Sequence, residues 1–240
     1  MNSDAGGPKG SRHFKRPTMN HRPKMSKELE ALLARSQELH ASVLDRLEGE
    51  QMPALRRMQA AYAALGVSYT HAHAIQHLLA HRHYPSAFAL LRVQFDSVVR
   101  GMWVLFTAPE DWIDKLYCER IGEPDCPVPL PPGVEEMLDT SAAQCAPLGI
   151  VAHLRGLNDS SWFAMCSYTH TGQHQLSRFL SEYTQEEAGE VLRVSNGLMV
   201  LATKLMTIAL DRRELAPDAA RIFDQFADCF PANALPPGTL

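Results

Sequence analysis

Arg92, Asp96 and Arg100 recur at four-residue steps inside an otherwise apolar stretch, and His170, His174 and Arg178 repeat the same step further along the chain. A planar guanidinium presents a fork of donors suited to phosphate or carboxylate, and a neutral imidazole can move a proton near pH 7. On a helix each four-residue step rotates by about 40°, so each set forms one slanting stripe. The first set sums to +1. Arg92 and Arg100 can each pair with Asp96, which leaves one guanidinium seeking an anion, either a carboxylate elsewhere in the fold or a ligand. Both readings follow from the same residues: an internal ion-pair network, or an anion site completed by His170 and His174. Gly172, between the two histidines, predicts a bend or a close approach of backbone.

His71, His73, His77, His81 and His83 form a second concentration of imidazoles. A helix rises about 12 Å from His73 to His81, too far for both to ligate one ion at about 2 Å, so only one adjacent pair could serve. His73, His77 and His81 also lie opposite Ile75, Leu78 and Leu79, the pattern of a solvent-facing stripe. No resident metal and no cofactor is expected.

Helices are needed to hold these groups. Ser26 is placed to cap a long first helix with Leu29, Leu32, Leu33, Leu39, Val43, Leu44 and Leu47 on one face. Pro53 suits the first turn of a second, running to Leu65, where Gly66 is expected to break or bend it. A third carries the histidines to His83. Pro85 then opens the most apolar helix, reaching Thr107 with Arg92, Asp96 and Arg100, and Pro109 opens a short fifth. Residues 122–133 hold five prolines, which excludes helix and central strand and predicts a connection. Further helices are expected at 134–144, 161–183, 185–212 and 217–229. Period-2 alternation is absent, so the fold class is all-α: a single multi-helix bundle over residues 28–230, between a disordered basic tail at 1–27 and a flexible terminus at 231–240.

The net charge of −4 is unevenly spread. Residues 1–27 carry Lys9, Arg12, Lys15, Arg16, Arg22, Lys24 and Lys27 against Asp4, a balance of +6 that leaves −10 for the rest. The tail suits RNA or another polyanion, and the acidic body argues against broad duplex binding. Five cysteines without a C-x-x-C pair read as reduced thiols. The polar start is no secretory signal, and the apolar run from Gly197 to Leu210 is short and interrupted by Lys204, so a cytoplasmic chain without membrane spans is expected.

The stretch from Tyr84 to Trp103, read with Leu157-Asn158-Asp159 and Tyr168-Thr169-His170-Thr171-Gly172, resembles an uncharacterised bacterial all-helical family. Its marks are an L-R-x-x-F-[DE]-x-x-x-R-G-x-W helix and a Y-T-H-[GT]-G segment. The resemblance covers residues 65–212 and implies that Arg92, Asp96, Arg100 and His170 meet. Such chains are distantly similar to HEPN-type domains, which include RNA-cleaving toxins and phage-defence proteins marked by Arg, four to six residues, then His. Arg35 with His40 and Arg16 with His21 have that spacing, about as often as chance supplies it, and Arg100 and His170 do not. Two functions are therefore expected to compete. In a metal-independent ribonuclease, His170 would exchange protons with the attacking or leaving oxygen, Arg92 and Arg100 would stabilise transition-state charge and Asp96 would orient an arginine, with His174 beside them. In a non-catalytic regulatory or interaction module the Arg/Asp stripe would be a structural network; a homodimer is compatible with either function.

Overall fold

In the computed structural model the described residues are 24–118, 130–145, 149–212 and 216–231, the side chains of 216–220 excepted. Most of the basic tail, most of the Pro-rich connection and the terminus after 231 lie outside them. Among the described residues every regular element is helical: α1 (Lys27–Leu47), α2 (Arg56–Ala80), α3 (Tyr84–Phe106), α4 (Glu110–Leu116), α5 (Val134–Cys145), α6 (Ile150–Thr169), α7 (Gln173–Ser181), α8 (Gln185–Ala209) and α9 (Ala216–Gln225), with a 3-10 turn at Ala227–Cys229.

Local chemistry sets several of the boundaries. The Ser26 hydroxyl accepts from the Leu29 N–H, and Glu28 and Glu30 complement the positive end of α1. Thr184 and Glu187 form a reciprocal capping box at the start of α8. Pro85 occupies the first turn of α3, where its missing N–H removes no helical bond.

The break expected at Gly66 does not occur; α2 runs unbroken past it. One glycine in a helix costs about 1 kcal/mol relative to alanine, and α2 recovers far more by packing along α3 and α8. Gly101 of α3 makes that packing possible, since a Cβ there would stand 2.6 Å from the Leu65 side chain. The helix expected over 161–183 is also corrected. It is two helices, α6 and α7, joined by a turn at His170–Gly172.

The core lies between α2, α3 and α8, with Leu65, Ile75, Phe95, Met102 and Leu205 buried. Buried polar groups cross-link it. Ser195 donates to Gln94 Oε1 at 2.7 Å while Gln94 Nε2 donates to the Ser195 carbonyl at 2.8 Å. Asn196 Nδ2 donates to Ser36 Oγ at 2.8 Å and to the Cys229 carbonyl at 3.2 Å, leaving Asn196 Oδ1 facing His40 Nε2 at 3.2 Å. Buried hydrogen bonds of this kind favour one register of helices where apolar contacts alone would allow several, although His40 Nδ1 has no hydrogen-bond partner among the described residues. Among the described residues α8 is the one helix long and apolar enough to cross a membrane, and most of its apolar window is buried in the bundle. Cys145, Cys166 and Cys229 carry free thiols, whereas Cys118 is disulfide-bonded, which corrects the expectation of five reduced cysteines.

Candidate functional site

α3 presents Arg92 and Asp96 towards α6, and the two form an ion pair one turn apart, their side chains 13% and 27% exposed. The Arg92 guanidinium carbon lies 3.8 Å from the centre of the Trp162 ring, and Cys166 is near enough to favour its charged form. Burial pulls the Arg92 pKa below its ordinary value, partly offset by Cys166. The guanidinium thus has a carboxylate, an aromatic face and a thiol around it, three partners that together replace much of its hydration.

The same seam continues towards the start of α3. Thr169 Oγ1 donates to the Ala89 carbonyl at 3.2 Å, and Tyr168 meets Phe88 edge-on with ring centres 5.1 Å apart. Tyr183, just before α8, meets the same Phe88 ring at 5.2 Å. The two sequence motifs are therefore packed on each other, through Tyr168 and Thr169 of the later one.

Arg100, His170 and His174 are exposed. Arg100 takes part in no ion pair among the described residues, so the expected triplet is a pair and a separate surface cation. The rotation that makes the stripe slant carries Arg100 off the α6 side, while its neighbour Gly101 abuts α2. His170 is the C-cap of α6, and no hydrogen bond or ion pair joins it to Arg92, Asp96 or Arg100 among the described residues. His174 opens the next helix. Between them Thr171 adopts a left-handed φ of 55°, and the Gly172 N–H donates to the Ser167 carbonyl at 2.7 Å. Gly172 meets the predicted close approach, because a Cβ there would stand 2.7 Å from Ser167 Oγ, the atom that accepts from the His174 N–H at 2.8 Å. The two histidines consequently flank a turn and do not share a helix face. Arg178, partly exposed, pairs with Glu187.

A sequence model of a family of unknown function, DUF6988, matches residues 65–232. The chain belongs to that family. No curated protein and no solved structure matches it. The DUF6988 region begins within α2, takes in both motifs and the whole α3–α6 seam, and leaves α1 outside.

Arg35 and His40, which lie before the DUF6988 region, do not form a pair. Arg35 reaches Glu38, Asp228 and the Phe226 ring, whereas His40 is buried against Asn196, its pKa pushed down to about 4 chiefly by desolvation. Arg16 and His21 lie outside the described residues. Among the described residues no group of three or more His, Cys, Asp and Glu side chains could hold a metal ion. A cavity of about 390 Å³ opens between α6 and α8, lined by His153, Gly156, Ser160, Val194 and Gly197 among others, and none of the five candidate residues borders it.

Trp162 and Cys166, the partners of Arg92, escaped the sequence reading. They lie about seventy positions from it, and no local pattern distinguishes them from ordinary helix residues. The one available signal was their position one and two turns before His170 in the second motif.

Proposed function

We propose that this chain is a non-catalytic interaction module, in which the Arg92–Asp96 pair locks α6 onto α3 and so fixes the surface that α6 and α7 present. The observation that carries this reading is the enclosure of Arg92 by Asp96, Trp162 and Cys166. A guanidinium already matched by a carboxylate offers a phosphate little, since the incoming anion must displace a charge held one turn away.

The surface held in place supports the same reading. Phe163 on α6 is 84% exposed, and α7 turns Leu176, Phe179 and Leu180 outward, each about half exposed. Apolar groups collected on one short helix suit a protein partner better than water. The test is an incubation of the full chain with mixed-sequence RNA in chelator across a range of salt and protein concentration. Intact RNA is expected. Cleavage that disappears in His170→Ala would overturn the reading.

A second reading rests on a different observation: Arg100, His170 and His174 are all open to solvent. Successive phosphates of an RNA strand could reach these separate side chains, with the basic tail as an electrostatic arm. This is the form in which a HEPN-like toxin or defence role would operate. It predicts RNA retention that falls steeply with salt, is lost on deleting residues 1–23 and, in the full chain, is weakened by Arg100→Gln.

A further inference from the structure

We infer that His77 and His81 form a seat for a late first-row divalent metal, of the Ni(II) or Cu(II) class, at the end of α2. The inference is independent of the reading of Arg92.

The two rings stand one helical turn apart on an exposed stripe, with centres 4.2 Å apart and planes tilted by 37°. A metal about 2 Å from each ligating nitrogen stands about 3.2 Å from each ring centre. Two imidazoles at about 90° then have centres about 4.5 Å apart, and a tetrahedral pair about 5.2 Å. The observed spacing lies nearer the first, which is the adjacent pair of a tetragonal or octahedral ion. Late divalent metals in that geometry take imidazole nitrogen readily and fill their other positions with water.

The orientation of the His81 ring is already supplied. His81 Nδ1 lies 2.8 Å from the His77 carbonyl, which can only accept, so Nδ1 carries the proton and Nε2 the lone pair. Ligating histidines are held in this way, by a carbonyl on the other ring nitrogen. A metal competes for that lone pair with any donor the ring also meets. The His81 backbone N–H donates to the same carbonyl at 3.1 Å, so the last turn of α2 is fixed on both counts. His73 lies one turn earlier, but its ring neighbours that of His40, with centres 6.3 Å apart. Bound metal would brace the corner where the chain reverses into α3, at Arg82 with φ 60°.

The experiment is calorimetric titration of the tag-free full chain with NiCl2, with thermal melts of the same samples. Wild type is expected to bind one Ni(II) and to melt higher with it. His77→Gln and His81→Gln should each weaken binding by at least about tenfold and abolish the metal-dependent rise, while His73→Gln should behave as wild type. Absence of saturable binding, equal binding by every variant, or loss in His73→Gln with retention in His81→Gln would each overturn the inference. Both sites are exposed, so melts without metal will show the variants folded.

Discussion

The Arg92 guanidinium stacks 3.8 Å above the Trp162 ring while its charge is met by Asp96 on its own helix. The cation is thereby bound to α3 through charge and to α6 through an aromatic face. Trp162→Leu removes the ring but keeps apolar bulk, and is expected to destabilise the fold by about 1–2 kcal/mol, with Trp162→Phe recovering part of the loss. Urea midpoints at constant m-value check this.

Gly101 and Leu65 set the approach of α2 to α3. Gly101→Ala places a methyl 2.6 Å from Leu65 atoms and should destabilise by about 1–3 kcal/mol despite the gain in helix propensity. Leu65→Ala alone leaves a cavity, yet adding Gly101→Ala to it should be close to neutral. A double-mutant cycle with a coupling below about 0.5 kcal/mol would show that the helices do not meet there.

His40 makes stability depend on pH. Its folded pKa of about 4 lies below the ordinary 6.5, because burial disfavours the charged ring. The contribution is fully present above the unfolded value and is lost as pH falls from about 6.5 towards 4, over which the unfolded chain takes the proton first. The fall amounts to about 3 kcal/mol. His40→Gln, which cannot titrate, should flatten that part of the stability profile measured by denaturant unfolding.

The side chains of α7 are predicted to add little to the fold. Phe179→Ser and Leu180→Ser replace side chains already about half in water, and each should change stability by no more than about 0.5 kcal/mol. A loss above about 1.5 kcal/mol in thermal or chemical unfolding would mean that the face is packed and unavailable to a partner.

The all-helical class and several boundaries were legible because their causes are local: the Ser26 cap, Pro85 in the first turn of α3, the apolar stripes, and the close approach at Gly172. Gly66 misled because a glycine's intrinsic penalty is visible in sequence, whereas the packing that outweighs it along α2 is not. The Arg92, Asp96, Arg100 stripe was read correctly as a stripe, but helical geometry does not reveal on which side the neighbouring helix lies. Only contact with α6 divides it into an enclosed pair and a surface arginine. His170 and His174 stand four apart in sequence, which suggested one helix face, and the left-handed Thr171 between them removed that relation.

The most direct test of the Arg92–Asp96 lock is a double-mutant cycle in urea of Arg92→Met, Asp96→Leu and the pair together. The singles are expected to lose about 1–3 kcal/mol, less than a fully buried pair because water still reaches Asp96. The double should be more stable than the sum of the singles by at least about 1 kcal/mol. Singles as stable as wild type or more so, with no coupling, would contradict the lock and mark these charges as kept for a ligand.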